Sequence, residues 1–195
     1  MKETKLLPET VRHWVGQRIG PVVSIRDASH DWDRSRVWEL AGQGGARWYV
    51  KVSPSAKFFT RETRAYRHVV PALGHSRAPQ LIDSRAEDLA MLLTVAPGAP
   101  APGLNLSSAS WRSVHEQAGM LCARLHEAGE LDSGDQAEAE EALRVAADGV
   151  EKHLGRAGDR LTGDEQQLVR NYAARLRRVG PVPVGYVHGD SQLLH

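Results

Sequence analysis

The run Ala96-Pro97-Gly98-Ala99-Pro100-Ala101-Pro102-Gly103 limits the fold of this 195-residue chain more than any other feature. Neither a helix nor a central strand tolerates that density of proline and glycine. Proline removes an N–H donor, and glycine loses the most backbone freedom on ordering. The run therefore divides the chain, and its two sides differ in periodicity. Short strand-like segments precede it, whereas apolar residues at helical spacing follow it.

On the N-terminal side, Pro8 opens a predicted helix that sets Val11, Trp14, Val15 and Ile19 on one side and stops at Gly20-Pro21. Strands are expected over 22–26, 36–41 and 47–52, with Gly42-Gln43-Gly44-Gly45 as a hairpin turn between the last two. A helix over 57–70 and strands over 79–83 and 89–95 complete this half. Beyond the linker, Ser110 is expected to cap a helix with the stripe Trp111, Val114, Ala118, Leu121 and Leu125. Helices over 136–154 and 162–179 follow, and then a short strand over 184–187. This segregated order predicts an α+β fold with a strand-rich domain over 1–95, a linker over 96–105 and a helical domain over 106–195.

The overall balance of charge excludes several partners. Twenty-five basic and 24 acidic side chains sum to +1, which argues against nucleic acid or an anionic membrane surface. No segment reaches the roughly 18 consecutive apolar residues of a membrane span, and the N-terminus has no apolar run of signal-peptide length. Cys122 is the one cysteine, so an internal disulfide is impossible. These features predict a cytoplasmic protein.

Two groups of residues suggest chemistry. Lys51 lies in the apolar strand Trp48-Tyr49-Val50-Lys51-Val52, on the face opposite Val50 and Val52. In the following helix Glu62 shares a face with Phe58, Ala65, Tyr66 and Val69. A carboxylate on the buried side of a helix needs a cation, and Lys51 is the nearest candidate in sequence. Their contact would hold an ammonium rigidly enough to clamp a phosphate. The second group is Tyr186-Val187-His188-Gly189-Asp190, where a strand ending in Gly-Asp would present a carboxylate on a loop, a usual setting for a catalytic base.

Taken in order, Val50-Lys51, Arg61-Glu62, Leu92-Leu93-Thr94 before Pro97-Gly98, Ala123-Arg124-Leu125-His126 and Val187-His188-Gly189-Asp190 resemble the aminoglycoside phosphotransferase family, which shares the protein-kinase-like fold. The resemblance implies a two-lobe architecture: an N-lobe antiparallel sheet with one helix, then an incomplete helical C-lobe ending in the catalytic loop. It implies ATP and Mg2+ as cofactors and a small hydroxylated, aminoglycoside-like molecule as acceptor. Lys51 would contact the nucleotide phosphates and Glu62 would hold Lys51. Leu93, Thr94 and Val95 would border the adenine pocket. Asp190 would orient or deprotonate the acceptor hydroxyl, with His188 supporting that loop, as in kinases. His126 would pack beneath it as a satisfied core histidine.

The same resemblance marks departures. The loop expected over the phosphates, 27–35, has no glycine, which leaves Ser29 and Ser35 as its candidate donors. His195 stands where the family carries a metal-binding asparagine, and the chain ends there, so a truncated C-lobe is expected. The leading expectation is an ATP-dependent phosphotransferase. The alternative is a catalytically inactive kinase-like module that binds nucleotide or protein. A metal-dependent hydrolase using His188, Asp190 and His195 is a third and weaker reading.

Overall fold

The computed structural model describes residues 6–30, 34–98, 104–128, 133–181 and 184–186. These form two compact units, one holding the described residues from 6 to 128 with Tyr186, the other those from 133 to 185.

The first unit is built on a five-stranded antiparallel sheet in the order β1-β2-β3-β5-β4. Helix α1 (Glu9–Ile19) leads into β1 (Val22–Asp27), β2 (Arg36–Gly42) and β3 (Arg47–Val52). Helix α2 (Ala56–His68) crosses to β4 (Leu81–Arg85) and β5 (Ala90–Thr94), and α3 (Ser108–Glu127) follows. The turn between β2 and β3 uses the predicted glycines in two ways. Gly44 and Gly45 have φ of 70° and 84°, the left-handed region open to glycine. A Cβ on Gly42 would fall 2.7 Å from the Trp48 ring, so only a bare α-carbon fits beneath that indole.

Strand alternation sorts the sheet into two faces. Register pairs Trp38 with Val50 and Val50 with Leu92, and these residues join Leu40, Ala90 and the α1 residues Val11, Trp14 and Val15 in the main core. Asp83 points to this same side, where it accepts from the Trp14 indole at 3.2 Å and pairs with Arg18. Burial opposes ionisation of Asp83, but the Ser84 N–H, Trp14 and Arg18 outweigh it and hold the carboxyl below its usual range.

The opposite face carries Lys51, Tyr49, Met91 and Leu93 and receives α2. Sequence periodicity had aimed Phe58 inward, but Phe58 is exposed and Phe59 is the buried ring, packed with Met91 and Leu93. The inward face of α2 is therefore Phe59, Glu62, Thr63 and Tyr66, one residue round from the expected centre. Thr63 satisfies its hydroxyl on the Phe59 carbonyl at 2.8 Å.

Three other expectations need correction. Ser107, not Ser110, caps α3: its Oγ accepts from the Ser110 N–H at 3.1 Å. The predicted 136–154 helix is two helices, α4 (Ser133–Asp148) and α5 (Val150–Ala157), because Gly149 interrupts the run with no side chain to pack. Val184, Gly185 and Tyr186 are not in a strand. Helix α3 packs on the 3-10 turn Val70–Leu73 and groups with the sheet in the first unit.

The second unit holds α4, α5 and α6 (Gly163–Leu176) around Ala147, Leu154 and Ala173. Thr162 and Glu165 form a reciprocal capping box at the start of α6. Arg177 reaches across to α4, donating to Asp148 at 2.9 Å and to the Ala147 carbonyl at 3.0 Å. Glu140 and Glu141 accept from Gln136 and Arg144 on the same helix. No described helix is long and apolar enough to cross a membrane.

Leu92 is fully buried at the centre of the sheet. Leu92→Ala is expected to cost about 3 kcal/mol of unfolding free energy in a denaturant titration; a loss under about 1 kcal/mol would contradict this core.

Candidate functional site

The face of the sheet that receives α2 contains the residues of chemical interest. Lys51 Nζ donates to Glu62 Oε1 at 2.7 Å, bringing the strand lysine and the helix glutamate into direct contact. The two side chains keep 24% and 27% of their exposure, so the pair lies at a wall open to solvent rather than sealed in the core. An ammonium has three donors and Glu62 uses one, which leaves Lys51 able to bind an anion from the open side. Tyr66 lies half-buried beside the pair. Burial, and then the negative charge of Glu62, push its phenol above the usual range.

The second Glu62 oxygen is also engaged. Ser53 Oγ donates to Glu62 Oε2 at 3.1 Å. The sequence reading did not single out Ser53, although it lies two residues from Lys51 and so on the same strand face. That alternation was the available signal.

Along the same face lies an ionic row. Register sets Glu39 opposite both Arg26 and Tyr49, and Tyr49 opposite Leu93. Glu39 is buried and accepts from Arg26 Nε at 2.9 Å, with a further bond from the Arg26 guanidinium and another from Arg47. The hydrogen bonds from Arg26 and then Arg47 hold its carboxyl below the usual carboxylate range, against the opposing effect of burial. Two guanidiniums on one carboxylate leave this row one positive charge in excess. A glutamate in the middle of the apolar run Val37-Trp38-Glu39-Leu40 was the overlooked signal for it.

The remaining predicted residues fall as follows. Leu93 is buried on the Lys51 face beside Phe59 and Met91. Thr94 is bound to Gln80 through both its N–H, which donates to the Gln80 carbonyl at 2.9 Å, and its Oγ, which accepts from the Gln80 N–H at 2.8 Å. Val95 is half-buried just past the strand end. Ser29 is buried, and its hydroxyl accepts from Val37 N at 3.0 Å and donates to Val37 O at 3.3 Å. That side chain thus extends the β1–β2 ladder by one rung. Ser35 is buried at the other end of the loop. His126 is exposed on α3 rather than in a core, because it lies off the stripe ending at Leu125. His188, Asp190 and His195 lie outside the described residues. Among the described residues, no group of three or more histidine, cysteine, aspartate or glutamate side chains forms a candidate metal site.

A comparison with protein families is decisive here. Residues 24–193 match the phosphotransferase enzyme family designated APH. The chain belongs to this family. The match spans every strand of the sheet apart from the first two residues of β1, the Lys51–Glu62 pair and the His-Gly-Asp motif. The family is one of kinase-like phosphotransferases, in keeping with the α+β architecture of an antiparallel sheet followed by helices. No curated relative matches the chain.

The depressed carboxyl of Glu39 has a signed consequence. A group whose folded pKa is lowered stabilises the fold above its unfolded pKa, and that contribution disappears as pH falls through the folded value. The wild-type melting temperature is expected to drop more steeply than that of Glu39→Gln as pH falls from about 5 to 3. At pH 7 the variant is expected to be about 1 kcal/mol less stable, between the values of exposed and buried ion pairs. Parallel pH profiles in thermal melts would contradict the assignment.

Proposed function

We propose that this chain binds the phosphates of ATP at Lys51 and serves in transfer of the γ-phosphate to a hydroxyl of a small molecule. The carrying observation is the 2.7 Å contact between Lys51 and Glu62 on an open wall of the sheet. It is supported by family membership across 24–193.

The chemistry follows from charge. Transfer of a phosphoryl group develops negative charge on the phosphate oxygens, and a fixed cation stabilises it without reorganising in the transition state. Lys51 is such a cation because Glu62 restricts where the ammonium can lie. Leu93 and Thr94 at the end of β5 and Val95 just past it would border the nucleobase, with Tyr49 and Leu93 on the same face as Lys51. Asp190 is proposed to orient the acceptor hydroxyl and accept its proton, and His188 to support that loop. Magnesium is the usual partner of ATP in such transfers, but the described residues offer no cluster to hold it. Magnesium carried with ATP would neutralise charge developing on the phosphates beside Lys51. Aminoglycosides and related amino alcohols are the first acceptors to assay.

Thermal melts with ATP and magnesium test the binding claim. At about 100 times its Kd, nucleotide should stabilise the fold by roughly 2.7 kcal/mol. Lys51→Met is expected to abolish most of that shift, whereas Asp190→Ala should preserve the shift and remove turnover. Equal shifts for wild type and Lys51→Met would refute the role given to Lys51.

A further inference from the structure

A lysine–glutamate pair specifies a position only if the glutamate itself is fixed. The terminal torsion of a glutamate side chain is broad and two-fold, so one contact on one oxygen leaves the carboxylate free to turn. Glu62 has a second contact. Its Oε2 accepts from Ser53 Oγ at 3.1 Å while its Oε1 accepts from Lys51 at 2.7 Å. Lys51 and Ser53 stand two residues apart, so their side chains leave the chain on the same side. The end of β3 thus presents two donors to the two oxygens of one helix carboxylate.

Ser53 is itself held firmly. Its exposure is 4%, its N–H donates to the Leu89 carbonyl at 3.0 Å, and the ring of Pro54 restricts the Ser53 backbone before it. Leu89 is anchored in turn. It adopts φ of 51°, a conformation leucine rarely takes, with its own N–H bonded to Ala86 O at 3.1 Å and its side chain packed on the Phe59–Met91–Leu93 cluster. Capping of α2 does not need the Ser53 hydroxyl, because Ser55 is the N-cap and accepts from Phe58 N. Its donation to Glu62 is a separate role.

We infer that Ser53 is a positioning residue of the nucleotide site: it fixes the Glu62 carboxylate, and through it the Lys51 ammonium, at the place where phosphate binds. This rests on the reading of Lys51 as the phosphate-binding cation. Removing the hydroxyl lets the carboxylate turn, so the ammonium samples positions off the phosphate and affinity falls, with no loss of any group that touches the ligand.

The test measures ATP affinity of the full chain by calorimetric titration for wild type, Ser53→Ala, Ser53→Thr and Lys51→Met, and for the double variant of Ser53→Ala with Lys51→Met. Removing a partner that orients a ligand-contacting group predicts about ten-fold weaker binding for Ser53→Ala. Ser53→Thr, which keeps the hydroxyl, should stay within about three-fold of wild type. In the Lys51→Met background, Ser53→Ala should add no further loss, an outcome that a general destabilisation would not produce. Should Ser53→Ala fail to fold, Ser53→Cys supplies the comparison, since a thiol of similar size is a weak donor. If wild type and Lys51→Met both fail to bind ATP, the phosphate-site reading falls and this inference with it. If wild type binds and Ser53→Ala or Ser53→Cys binds equally well, the role of Ser53 alone is overturned.

Discussion

The Lys51–Glu62 contact joins the central strand of a sheet to the helix that covers one of its faces. A carboxylate on the inward side of a helix is costly to desolvate, and the same is true of an ammonium beside packed aromatic rings. Each makes the other tolerable, and their shared partial exposure lowers the penalty that a fully buried pair would carry. The position of α2 thereby becomes part of the site: a shift of that helix would move Glu62 and release Lys51. Packing of Phe59 against Met91 and Leu93 resists such a shift.

Because side chains alternate along a strand, one sheet serves two purposes. One face is sealed by α1 over Trp38, Leu40, Val50 and Leu92, and supplies most of the apolar burial. The other holds charge: the Lys51–Glu62 pair under α2 and the Arg26–Glu39–Arg47 row on strands β1 to β3. Most of the apolar burial lies on the first face, and the proposed nucleotide site on the second.

Much of the candidate site was legible because its logic is local. Gly20-Pro21, Gly42 to Gly45 and the apolar alternation of Arg47–Val52 bound each element by backbone chemistry alone, and the observed strands begin and end within about two residues of expectation. The inward position of Glu62 was visible from helical spacing. What escaped were contacts that need two distant segments at once. Ser53 reads as part of a Ser-Pro-Ser turn until α2 sets a carboxylate above it. Glu39 reads as an exposed strand residue until Arg26 and Arg47 arrive from neighbouring strands. The Ser29 hydroxyl bonds to both backbone groups of Val37, a pairing that only the β1–β2 register brings about.

From the amino-acid order alone came the α+β class, the division into strand-rich and helical stretches, and the family to which residues 24–193 belong. All three depend on periodicity and on the order of short motifs, which are properties of the chain taken in line. Only the folded chain decided that Phe59 rather than Phe58 faces inward, that Gly149 splits one predicted helix into two, and that both oxygens of Glu62 are held. Those outcomes turn on a rotation of one residue about a helix axis, or on an approach of a few ångströms between elements far apart in sequence. Local propensity carries no information at that scale.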